Sequence, residues 1–199
     1  MRTFTNNEIK SAMAKKNYEF FKADKPFHPN IIGVRANTRK SNSFDDFLYL
    51  IYYDQMGHVI SHRFAITTDA GKYNLENPVN SKGTAILVPD QYVDCYAVGL
   101  HRGQYRALCQ IKSVKVYRDN NKDDILDMDA NNVEEGIFGI NIHRSNPYSK
   151  SYVVEKWSAG CQVFQAVADF VVFMSAMETA SLRNGNKFTY TLLEEKDFS

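Results

Sequence analysis

The segment GINIHRSNPYSKSYVVEKWSAGCQVF, Gly139–Phe164, carries the most structural and chemical information in the chain. Its first residues alternate apolar and polar side chains as a strand does, and His143 stands at the end of that strand. Eighteen residues later Cys161 follows a Ser-Ala-Gly turn. A loop of that length can return the chain so that imidazole and thiol meet beside open space. A cysteine nucleophile needs a base, backbone N–H groups aimed at the developing oxyanion, and access for substrate. His143 is the candidate base, and the N–H groups of Gly160 and Cys161 are candidate oxyanion donors. A helix starting soon after Cys161 would add its dipole in favour of thiolate.

Working outward, the flanking sequence reads as mainly β, in a mixed α+β fold. Strands are expected at Ile31–Arg35, Phe47–Asp54, His58–Thr67, Thr84–Pro89, Tyr92–Leu100, Tyr105–Ile111, Ser113–Asp119, Gly136–Arg144 and Lys187–Glu195. Their lengths and intervening turns suit a meander or sandwich. Residues 166–182 repeat apolar side chains at three- and four-residue steps, which predicts a helix after the cysteine. Asn6–Ala23 predicts an N-terminal helix capped by Asn6 or Asn7, so residues 1–30 read as a helical arm and 31–199 as the catalytic domain.

Composition narrows the function classes. The 199 residues are 44% apolar and 24% charged, which suits one globular domain. A net charge of +1 gives no general electrostatic case for nucleic acid. No apolar run approaches the roughly 20 residues of a membrane span, and Met1–Phe21 does not read as a signal peptide. Three cysteines without a CxxC pair are too few for a disulfide framework, and Cys95 and Cys109 read as small core hydrophobes.

The Gly139–Phe164 segment resembles the catalytic signature of the YkuD-type L,D-transpeptidases, in which a strand histidine precedes a Ser-His-Gly-Cys turn. The resemblance implies a YkuD-like β-sandwich, with Cys161 as nucleophile, His143 as base, and Ser158 to Cys161 forming the oxyanion hole. It also implies that the backbone carbonyl of Arg144 orients the imidazole. The implied substrate is a peptidoglycan stem peptide, cleaved or exchanged through a Cys161 thioester. Two family positions differ: the turn's histidine is Ala159, and the Asn or Arg two places after the cysteine is Val163. The alternative expectation is therefore an inactive binding or structural module of the same fold. Histidine before cysteine is the reverse of the papain-like and NlpC/P60-like orders.

Other residues divide between roles. The Arg144 guanidinium is a candidate carboxylate ligand or a solvated strand-end charge. Trp157 and Tyr148 are candidate groove residues, Ser158 and His101 candidate substrate contacts. Asp119, Asn121 and Asp123 alternate as in a calcium loop, but Asp124 and Ala130 replace its glycine and final glutamate, so a solvated acidic turn is favoured over calcium and no cofactor is expected. A wall-acting enzyme without a recognisable leader would suit a phage or prophage product, or one released by lysis or a dedicated export machine.

Overall fold

The structure, a computed structural model, describes all residues from Met1 to Ser199. Eight strands close into a barrel in the order β1, β11, β5, β6, β9, β10, β3, β2. They are β1 (Asn30–Arg35), β2 (Asp46–Tyr53), β3 (Val59–Thr67), β5 (Gln91–His101), β6 (Tyr105–Gln110), β9 (Ile142–Arg144), β10 (Gln162–Phe164) and β11 (Phe188–Glu194). A separate three-stranded sheet contains β4 (Thr84–Leu87), β7 (Val114–Asp119) and β8 (Val133–Gly136). Three α-helices complete the fold: α1 (Asn6–Lys15), α2 (Lys72–Glu76) and α3 (Val167–Asn184). The mainly β, mixed α+β expectation holds, but the barrel strands do not form the facing sheets of a sandwich. The difference lies in β1, whose parallel pairing with β11 and antiparallel pairing with β2 join what would otherwise be two free edges.

Burial on both sides of the wall explains why β1 and β2 lack clean alternation. Ile31, Leu48 and Leu50 face the main core, shared with Phe164, Tyr190 and the α3 residues Phe173 and Met177. Ile32, Val34, Tyr49 and Ile51 face outward beneath Ile9, Ala12 and Met13 of α1. The N-terminal arm thus covers apolar wall that would otherwise meet water. Its helix is shorter than the periodicity predicts. Thr5, not Asn6 or Asn7, caps it in a reciprocal arrangement with Glu8, and Asn17 at φ 58° turns the chain out after Lys15. Phe20 therefore packs as a post-helical residue. No helix is long and apolar enough to cross a membrane.

The strand expected over Gly136–Arg144 is interrupted. Gly139 has φ +75°, and the N–H groups of Phe138 and Ile140 both donate to the Gln110 side-chain carbonyl, at 3.1 and 3.0 Å. One glutamine replaces a strand ladder there, leaving β9 only three residues long.

A buried ionic cluster joins β1, β2 and the segment after β3. Arg35 Nε lies 2.8 Å from Asp69 Oδ1, while its Nη1 and Nη2 donate to the carbonyls of Leu87 and Thr68. Asp46 accepts from the Ala36 N–H and from both the N–H and hydroxyl of Thr68. Burial pushes the carboxyls of both Asp46 and Asp69 upward, and the Arg35 charge opposes this at Asp69. Replacing Arg35 with Met strands the Asp69 carboxylate, and a loss of about 3–5 kcal/mol is expected from chemical denaturation. An unchanged midpoint would show that the cluster does not hold the barrel.

Candidate functional site

His143 is the central residue of β9, and Cys161 immediately precedes β10. These strands run parallel with His143 opposite Val163, and the Gln162 N–H donates to the Asn141 carbonyl at 2.9 Å. The long loop between them returns through the short 3-10 turn Glu155–Trp157. The result places His143 and Cys161 in the wall of one cavity of about 540 Å³, with His101, Trp157 and Ala159.

The turn before the cysteine is held by its own serine. Ser158 Oγ donates to the Cys161 carbonyl at 2.8 Å and accepts from the Gly160 N–H at 3.2 Å. Gly160 has φ +113°, and a Cβ there would lie 2.3 Å from the Ala85 carbonyl oxygen. Glycine is therefore required on both conformational and steric grounds. Ser158 is fully buried, holds the turn and lies outside the cavity wall. Because Ser158 already engages the Gly160 N–H, the Cys161 N–H is the one of the two candidate oxyanion donors without an acceptor inside the protein.

The histidine is fixed from behind. Its Nδ1 lies 2.8 Å from the Arg144 carbonyl, which can only accept, so Nδ1 carries the hydrogen and Nε2 the lone pair. The Tyr105 hydroxyl stands 3.2 Å from the same nitrogen and donates to the same carbonyl at 3.3 Å. The Arg144 side chain points to other work: it lies 4.1 Å over the Tyr105 ring and donates to the Ser145 carbonyl. Its backbone thus has the expected relation to the imidazole, while its guanidinium is not in the cavity wall.

His101 joins the site as a stacking partner, with ring centroids 4.1 Å from His143. The Asn141 side-chain amide donates to His101 Nδ1 at 3.1 Å, and its oxygen accepts from the Gln110 N–H. Two imidazoles packed face to face in a poorly solvated place resist protonation. Burial, then the neighbouring His101, lowers His143 to about 3, and burial likewise lowers His101. Burial raises the Cys161 thiol to about 11, with the Asn141 N–H and the Arg102 charge working the other way. Cys161 Sγ donates to the Gly139 carbonyl at 3.4 Å. At rest both the thiol and the imidazole are therefore neutral, and the thiol's hydrogen bond goes to Gly139 rather than to His143. The helix expected to favour thiolate begins only at Val167, with β10 intervening, so its dipole is not applied to the sulfur.

The remaining candidates separate clearly. Trp157 lines the cavity and is 40% exposed, whereas Tyr148 is 91% exposed and outside it. Val163 is fully buried in β10, so the family's polar side chain would have no water there. In the acidic loop, Asn121 Nδ2 donates to both Asp123 and Asp127, and Asp119 Oδ2 accepts from the Asp127 N–H. No group of three His, Cys, Asp or Glu side chains is arranged to hold a metal ion. Sequence reasoning missed Tyr105 and Asn141. The spacing of Tyr105 carries no signal, while Asn141 lies two residues from His143 within the quoted strand.

No protein-family model, curated protein or solved structure matches the chain.

Below a value of about 11 the ionised fraction of this thiol rises tenfold for each unit that pH increases. Site-resolved mass spectrometry of iodoacetamide labelling should therefore show the Cys161 rate rising steadily from pH 6 to 9. A plateau beginning below pH 7 would reveal a resting thiolate instead. Gly160→Ala should lose about 2–4 kcal/mol of stability, measured by denaturant unfolding, through clash and strain at one turn.

Proposed function

We propose that this chain is a cysteine-dependent acyl-transfer enzyme of the L,D-transpeptidase-like kind, acting on peptidoglycan stem peptides. The observation that carries the reading is the shared cavity wall: Cys161 and His143 line one opening, with the imidazole oriented through Nδ1 by the Arg144 carbonyl. That arrangement leaves Nε2 as the acceptor a thiol nucleophile needs. The YkuD-type resemblance of Gly139–Phe164 supplies the substrate class, and the Arg144 carbonyl contact is the element of that resemblance with a direct counterpart in the geometry.

In the acylation step, Cys161 Sγ forms a bond to the scissile carbonyl carbon as its proton passes to His143 Nε2. The Cys161 N–H donates to the developing oxyanion. Collapse breaks the carbon–nitrogen bond, and the proton leaves His143 with the departing amine. Water then gives hydrolysis of the thioester, and an amine gives exchange; each returns the proton to sulfur. With resting values of about 11 and about 3, the proton resides on sulfur until substrate enters. Substrate that displaces water and presents a carbonyl to the Cys161 N–H makes transfer concerted with attack, without a standing ion pair. The phage-lysis or wall-remodelling setting belongs to the same proposal.

The alternative is an inactive module, favoured by the raised thiol and by Ala159 at the family's second histidine. Incubation with defined muropeptides followed by mass analysis decides between them. Wild type is expected to give cleaved or exchanged products, Cys161→Ala none, and His143→Gln a rate lower by about 10²–10⁴-fold. Identical inert traces from all three proteins would favour the module. Because burial holds His143 near 3, imidazole protonation should not remove kcat/KM in the free enzyme above about pH 4. An acid limb near pH 6.5 that disappears in His143→Gln would contradict that.

A further inference from the structure

The cavity has one uncompensated charge. Arg102 and Arg118 both line it, together with His101 and His143, and no Asp or Glu does. Arg118 is already satisfied: its Nε contacts Glu134 at 2.7 Å, its Nη1 donates to the Gly83 carbonyl, and its guanidinium lies over the Phe138 ring. The exposed Arg102 guanidinium has no hydrogen bond or ion pair in the protein. Its charge is nevertheless felt across the site, at both histidines and at Cys161.

The backbone supplies a second observation. His101 pairs with Tyr105 at the end of the β5–β6 hairpin, and the Gln104 N–H closes the turn on the His101 carbonyl at 2.9 Å. Arg102 and Gly103 both have positive φ, 49° and 70°. Such a turn favours Asn, Asp or Gly at its first central position, and arginine gains nothing there conformationally. A strained residue with an unpaired side chain at a cavity wall points toward recognition. The residue next in sequence to His101 is thereby tied through that histidine's stack to His143.

We propose that Arg102 is the specificity-determining residue of this cavity, binding a free carboxylate of the peptide whose carbonyl is presented to Cys161. The sequence pointed to Arg144 for such a role, but that side chain is committed to Tyr105 and Ser145. Arg102 offers the planar fork that pairs with a carboxylate through two parallel hydrogen bonds. The chemical class is an anionic peptide; the assignment to stem peptides rests on the acyl-transfer reading above, and the carboxylate preference does not.

The test is calorimetric titration of Cys161→Ala, which cannot turn over, with a stem tetrapeptide bearing free carboxylates and with its amidated counterpart. The carboxylate form should bind about tenfold or more tightly. Adding Arg102→Asn should bring that ratio near one, and Arg102→Lys should leave an intermediate ratio. Thermal melting supplies the structural control, since Asn suits the positive φ and should melt at or above the parent temperature. A ratio unchanged by Arg102→Asn, no carboxylate preference in the parent, or no binding of either peptide would overturn the assignment. Turnover by wild type is read separately. An inert wild type with an Arg102-dependent ratio overturns the catalytic reading alone; an active enzyme with an indifferent ratio overturns the Arg102 assignment alone.

Discussion

The parallel pairing of β9 with β10 is the constraint on which the site depends. Only three residues of each strand take part, yet their register sets the strand histidine and the turn cysteine beside one cavity. A slip of one residue would send every side chain of the shifted strand to the opposite face. The surrounding barrel prevents that slip: β6 holds β9 through Leu108 opposite Ile142, and β3 holds β10 through Thr67 and Ile66. Ser158 closes the turn from the other end, so the cysteine is positioned by strand pairing and by a local hydrogen-bonded loop together.

The residue after the cysteine links this pairing to the core. Gln162 is fully buried and accepts the Tyr190 hydroxyl hydrogen at 2.8 Å. Tyr190 has room because Gly33 in β1 lacks a side chain; a Cβ there would lie 2.0 Å from the hydroxyl oxygen. The barrel's closing strands and the cysteine turn thus share one polar contact across the interior. Buried polar contacts of this kind are costly when half satisfied, which ties the turn's placement to barrel closure. The same poorly solvated setting keeps the thiol and imidazole neutral, so under the proposed acyl-transfer reading reactivity is supplied by substrate rather than stored in an ion pair.

Much of this was legible in the sequence where local chemistry acts alone. The hairpin around Gly57, the helix ending near Asn184 and the final strand follow from turn residues and periodicity. His143 and Cys161 were legible because their spacing and the Ser-Ala-Gly turn encode a return loop. Barrel closure was not legible, since β1 carries apolar side chains for both faces and its pairing with β11 joins distant parts of the chain. The turn-holding bonds of Ser158 were not legible, because a serine beside a cysteine looks alike whether it faces a cavity or closes a turn. Arg102 was hidden for a different reason: its meaning comes from partners it lacks, and those are visible only in three dimensions.

The central claim is that Cys161 forms a covalent acyl intermediate assisted by His143. Intact-protein mass spectrometry after rapid acid quench tests it directly, using stoichiometric enzyme and a stem tetrapeptide. A transient mass increment equal to the acyl fragment, mapped to Cys161 and formed more slowly in His143→Gln, is the expected result. Intact peptide beside unmodified enzyme at every quench time would contradict it.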